Sequence, residues 1–123
     1  MAISQVSLGF PSGAKFFTDT DSEGTVVAIS AASATVYAIE VDNSGNAGAA
    51  SYVKLWNTAA ASVTLGTTAP DMVILVPASA SPTLVVPKGI VFGTALSIAT
   101  VTTAGTAGTT SPTSAVTVRV VYA

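Results

Sequence analysis

The sequence predicts an all-β chain, folded as an antiparallel two-sheet β-sandwich, jelly-roll-like, with about eight strands and little or no helix. Three observations carry this expectation. Val and Thr, stiff at χ1 and well suited to a pleated surface, recur throughout the 123 residues. Turn signals built from Gly, Pro, Asn and Asp separate short apolar stretches at the spacing of sandwiches and small barrels. The Ala-rich runs Ala31–Ala34 and Ala59–Ala61 are each too short to stand alone as a helix. The length fits a single domain, 1–123, in which residues 1–24 can form an extended N-terminal segment.

The strands are expected in the following order. Ile3–Leu8 is followed by a loop with Pro11 and Gly13 and then by the acidic stretch Asp19–Gly24. Thr25–Ser30 and Thr35–Val41 come next, the latter with Tyr37, Ile39 and Val41 on one face. The segment Asp42–Gly48 (DNSGNAG) is a loop, because Gly and Asn accept the backbone angles of a tight turn. Ala50–Asn57 alternates, with Val53 and Leu55 on one face and Tyr52, Lys54 and Trp56 on the other. A short strand is expected at Val63–Leu65. Asp71–Val76 is apolar on both faces, which predicts a central, covered strand ended by Pro77. Ser81–Val86 is closed by the turn signal Pro87-Lys88-Gly89, with Ile90–Phe92 and Leu96–Thr102 beyond it. The loop Ala104–Pro112 is low in complexity and reads as mobile or as an interface lace. Ala115–Tyr122 closes the chain with Val116, Val118, Val120 and Tyr122 inward and Thr117 and Arg119 outward.

Half of the residues are hydrophobic and only 8% are charged, against about a quarter charged in ordinary soluble domains. Such a surface of small neutral side chains suits a molecule packed against neighbours. The net charge is −2, and Lys15, Lys54, Lys88 and Arg119 are scattered along the chain. A phosphate backbone needs clustered cations, so nucleic acid is not an expected partner. No stretch approaches the ~20 apolar residues of a spanning helix, so no membrane partner is expected either. The N-terminus lacks the basic and apolar regions of a signal peptide, and the chain is expected to be made in the cytoplasm and not exported.

His and Cys are both absent. Their absence removes the commonest general acid/base, the Ser-His-Asp and Cys-His arrangements, and the usual zinc ligands. No GxGxxG or P-loop pattern appears, and with His and Cys missing neither an enzyme nor a cofactor nor a small-molecule substrate is expected. The sharpest local pattern is Asp19, Asp21, Glu23 and Gly24, which matches the opening of a calcium-binding EF-hand loop. Position twelve of that loop is Ser30 where a bidentate Glu belongs, and no flanking helices are predicted. A solvated acidic turn is therefore the competing reading. Tyr52, Lys54 and Trp56 form the second pattern, either an interface stripe with the Lys ammonium against a ring, or a face buried in the core.

From YVKLWN (52–57) onward the chain resembles small β-sandwich virion proteins of tailed bacteriophages. The features that carry the resemblance are Lys54–Asn57, Val63–Pro70 (VTLGTTAP), Val76–Ala78 (VPA), Pro87–Ser97 (PKGIVFGTALS) and Val116–Tyr122 (VTVRVVY). They match the family's K-L-[WYF]-[ND], V-T-x-G-T-x-x-P, V-P-A, P-x-G-[IL]-x-F-x-x-[AG]-L-S and V-x-V-x-x-x-Y patterns. These are strand and turn features and hold no chemical site. The resemblance implies a capsid cement or decoration protein on the virion head surface, binding the major capsid protein and copies of itself as a dimer or trimer. Residues 1–51 lie outside it. Two alternatives stand beside this expectation: a tail, neck or fibre component, and a carbohydrate-binding module that stacks sugars on Tyr52 and Trp56.

Overall fold

The computed structural model describes residue 11 and residues 13–123; the strand expected at Ile3–Leu8 lies outside the described residues. The described chain forms eight strands: β1 (Lys15–Ser22), β2 (Val27–Ser30), β3 (Ala34–Asp42), β4 (Ser51–Trp56), β5 (Met72–Val76), β6 (Thr83–Phe92), β7 (Leu96–Val101) and β8 (Val116–Tyr122). All pairings are antiparallel. The first sheet has the order β1-β8-β3-β6 and the second β2-β7-β4-β5. β1 pairs with β8, β2 with β7, β3 with β6 and β4 with β5. The first half of the chain thus lies against the second as one long ribbon, rolled so that successive pairs fall into opposite sheets. This is the jelly-roll arrangement of a β-sandwich.

The roll is driven by alternation. Val36, Ile39 and Val41 of β3 and Val116, Val118 and Val120 of β8 face Val53 and Leu55 of β4 and Leu96 and Ile98 of β7, and all are at most 2% exposed. The strand that changes sheets does so at Ser22. Its hydroxyl hydrogen-bonds the Thr100 hydroxyl at 2.7 Å across the buried interior, and the Thr100 N–H donates to the Glu23 carbonyl.

Several sequence expectations are corrected by register. Lys15–Ser22 is a strand and not a loop leading to an acidic turn; an edge strand tolerates its Asp residues because their carboxylates reach water. Tyr37 does not share a face with Ile39. A shift of register at Tyr37 turns Val36 inward beside Ile39 and Val41. Pro87-Lys88-Gly89 does not reverse the chain. Residues 86–89 bulge out of a single strand, β6, opposite the one residue Tyr37. Edge position permits the proline, and Gly89 has φ +78° with no room for a Cβ, which would lie 2.3 Å from Thr35 Cγ2. Val63–Leu65 is not a strand. A 3₁₀ turn at Ala60–Ser62 precedes it, and the Thr64 carbonyl accepts from the N–H groups of Thr67 and Thr68. β5 is an edge strand and not a central one, with Leu75 56% exposed. An apolar strand is covered on both faces only if another layer lies over it, and here none of the described residues does so.

The loop expected at 42–48 is closed by a buried side chain. Asn43 Nδ2 donates to the carbonyls of Ala49, Val76 and Pro77, and Asn43 Oδ1 accepts from Ser51 Oγ and Asn46 Nδ2. Asn46 in turn donates to the Ser114 carbonyl and accepts from the Ser114 N–H. Three connections, β3–β4, β5–β6 and β7–β8, are tied together at one end of the sandwich. Truncating Asn43 leaves several of these buried groups unpaired, each costing ~1–3 kcal/mol. Asn43→Ala is expected to destabilise the chain by about 3 kcal/mol and lower the thermal midpoint by roughly 10–15 °C, read by circular dichroism.

Candidate functional site

The two candidate sites expected from sequence fare differently once placed on this frame. Asp19 and Asp21 lie on β1, and Glu23 follows its end. Asp19 Oδ1 accepts from the backbone N–H of Asp21 at 3.0 Å. A strand advances ~3.3 Å per residue and spreads its carboxylates out, whereas a cation loop must wrap them. Among the described residues no group of three acidic side chains is gathered for a metal. Gly24 also has another use. A Cβ there would sit 2.5 Å from the Thr109 carbonyl, so the glycine lets a distant loop approach, and its N–H donates to Ser111 Oγ.

Tyr52, Lys54 and Trp56 do share one face of β4, the outer face of the second sheet. That face is covered by the chain itself. Trp56 is 1% exposed and its Nε1 donates to the Thr68 carbonyl, while Ser97 Oγ on the neighbouring strand donates to Thr58. Lys54 is fully buried, and its Nζ donates to the carbonyls of Gly105 and Gly108 at 2.6 and 3.0 Å. The ammonium thus meets carbonyls and not a ring; among the described residues it is Lys15 Nζ that lies over a ring, 5.9 Å from the Tyr122 centre. Tyr52 alone of the three is half-buried. Two segments form the cover, residues 57–71 and the loop Ala104–Pro112. The second is not a free lace. Thr102 N–H donates to the Thr110 carbonyl, Gly108 N–H to the Gly105 carbonyl, and Lys54 pins both glycines. β7, beneath this cover, is buried at all six positions.

The first sheet has no such cover among the described residues. Its outer face carries Phe16, Ala38, Val85 and Val121 around the ion pair of Arg119 Nη1 and Glu40 Oε1, 2.6 Å apart. Thr83 completes the floor of a shallow depression. Phe16 is 65% exposed and Val85 53%, and Val91 of β6 on the same face is 72% exposed. The ion pair is half-exposed, so it adds at most ~1 kcal/mol of stability. Its greater effect is to leave the floor of the patch close to neutral. The arrangement offers apolar contact and one matched pair of charges, which is the make-up of a docking surface. Arg119 was expected to face outward; Phe16 and Val85 could be placed here only through the register of β1 and β6 against their neighbours.

No protein-family model matches this chain, and no curated protein or solved structure matches it.

Burial lowers the Lys54 pKa below the ordinary lysine value of 10.5, because removing an ammonium from water disfavours the charged form. The unfolded chain therefore holds this proton more tightly than the folded chain. The cost is fully present below the folded pKa and disappears as pH rises from there towards 10.5. The thermal midpoint of the wild-type chain relative to Lys54→Met is expected to rise across that alkaline interval and to be flat around neutral pH. A difference that falls with increasing pH would contradict the burial of the ammonium.

Proposed function

We propose that this protein is a virion structural module, a capsid cement or decoration protein that binds the shell of major capsid protein and copies of itself. The observation that carries the reading is the unequal cover of the two sheets. The second sheet is roofed by its own loops, whereas the first presents Phe16, Val85 and Val91 to solvent around a charge-matched centre. A brace needs a rigid body with a neutral adhesive face, and many identical sites on a lattice make individually weak contacts sufficient. Jelly rolls serve in viral capsids, and also in lectins and cupins, so the fold supports the reading by analogy alone. The resemblance from Tyr52 to Tyr122 supports it from the sequence side. The absence of His and Cys argues against catalysis in this chain.

A tail, neck or fibre component would use the same sandwich and differs in copy number. The carbohydrate-binding reading needed a platform of two exposed rings, and Trp56 lies beneath its loop, so nothing here favours it.

Quantitative mass spectrometry of virions purified from the phage that encodes the chain is expected to give hundreds of copies per particle. A handful would mean the neck or tail tip, and none would reject the virion reading. Phe16→Asp is expected to weaken binding to isolated shells at least tenfold while moving the thermal midpoint by no more than about 2 °C, since it alters an exposed contact. Undiminished binding by that variant would remove the first-sheet face from the interface.

A further inference from the structure

Among the described residues, four strands form the edges of the two sheets: β1 and β6 in the first, β2 and β5 in the second. An open edge offers unpaired N–H and C=O groups to any other strand, and proteins blunt such edges with charge, proline, bulges or brevity. Three of the four are blunted here. β1 carries Lys15, Asp19 and Asp21 and a shift of register before Ser22. β6 carries Pro87, Lys88 and the four-residue bulge. β2 is four residues long with a shift of its own. β5 has none of these devices. Its five residues, Met-Val-Ile-Leu-Val, pair with β4 in unbroken register, carry no charge, and leave an outer edge that no described residue pairs. Val73 is 37% exposed opposite the fully buried Lys54, so the loop cover stops between β4 and β5.

We infer that β5 is where two copies of this chain join edge to edge, antiparallel about a two-fold axis through Ile74. The strand is self-complementary in that register. A two-fold axis perpendicular to the sheet keeps each face on its own side and sets Val73 opposite Leu75 of the second copy, Met72 opposite Val76 and Ile74 opposite itself. Every cross-strand pair is then apolar, and such pairs are the unit of sheet stabilisation. The electrostatics also fit a like partner. Asp71 lies just before the strand, so the two Asp71 carboxylates fall at opposite ends of the joint. A charged partner strand would find nothing on residues 72–76 to complement it. The contact is isologous and closes as a dimer, joining the two second sheets into one of eight strands. Five residues span only ~17 Å, so the buried area falls short of the ~800 Å² per partner of a stable complex. The dimer is therefore weak alone and is strengthened where copies are held side by side. This inference goes beyond the virion reading and does not require it: a chain that dimerises through β5 but is missing from virions keeps the one and loses the other.

The test is sedimentation equilibrium of the full chain from about 5 to 500 μM. The mass is expected to climb from the 12.1 kDa of one chain towards twice that value. Leu75→Lys is expected to hold the monomer mass over the same range with an unchanged thermal midpoint, because the side chain is exposed in the free chain. Register is read separately, and the lack of native Cys makes the reading unambiguous. An equal mixture of Val73→Cys and Leu75→Cys chains is expected to form the mixed disulfide faster than either chain links to itself. A monomer at every concentration would overturn the inference. So would association that survives Leu75→Lys, or association lost with Phe16→Asp, which would move the contact to the first sheet, or with Leu8→Asp, which would assign the edge to the N-terminal segment.

Discussion

The ammonium of Lys54, fully buried between the carbonyls of Gly105 and Gly108, is the contact on which the layering of this molecule depends. Lysine is rarely buried without a partner, since its charge loses most of its hydration there. Here two carbonyls 51 and 54 residues away replace that water and draw the β7–β8 connection down over the second sheet. The approach is close enough to demand glycine at position 24, where a Cβ would collide with the Thr109 carbonyl. Trp56 does the same for the β4–β5 connection through Thr68. The result has three layers: a roof of loops, the second sheet buried on both faces along β4 and β7, and the first sheet, whose outer face no other described residues cover.

That layering changes the meaning of the composition. A chain with 8% charged residues suggests a surface to be covered by other molecules. Much of the apolar excess is in fact covered internally, since β7 is buried at every position and Lys54 and Trp56 lie beneath loops. Among the described residues, the exposed large apolar side chains include Phe16, Val85 and Val91 on the outer face of the first sheet, and Val73 and Leu75 on β5 at the edge of the second.

One end of the sandwich is held by neutral hydrogen bonds. Asn43 joins the β3–β4 and β5–β6 connections because one amide offers two donor hydrogens and an oxygen that accepts twice, every one of which is used, and Asn46 extends the network to the β7–β8 connection. An Asp could not donate to the carbonyls of Ala49, Val76 and Pro77, and a Leu would strand them. The 42–48 segment is thus both a turn and a fastener, and only the first of these roles follows from its Gly and Asn content.

The sequence by itself determined the class of fold and the faces of the regular strands. The alternation of β4 and β8 placed Val53, Leu55, Val116, Val118 and Val120 inward, and the structure has them there, because side-chain direction in a strand is a local property with a period of two. Tertiary structure decided everything that depends on neighbours remote in sequence. Whether β5 is central or at an edge, whether Tyr52, Lys54 and Trp56 face a partner or a loop, and whether Ala104–Pro112 is a free lace or a roof are set by which segments land on which sheet. The bulge at Tyr37 belongs there too, since one extra residue reverses every side chain beyond it and is visible only against the partner strand, and so does the bulge at residues 86–89, which leaves the alternation of β6 itself unchanged. The acidic stretch from Asp19 reads as a turn by composition. Its first four residues, Asp19–Ser22, are strand because β8 pairs with them from the far end of the chain, and only Glu23 and Gly24 lie beyond β1.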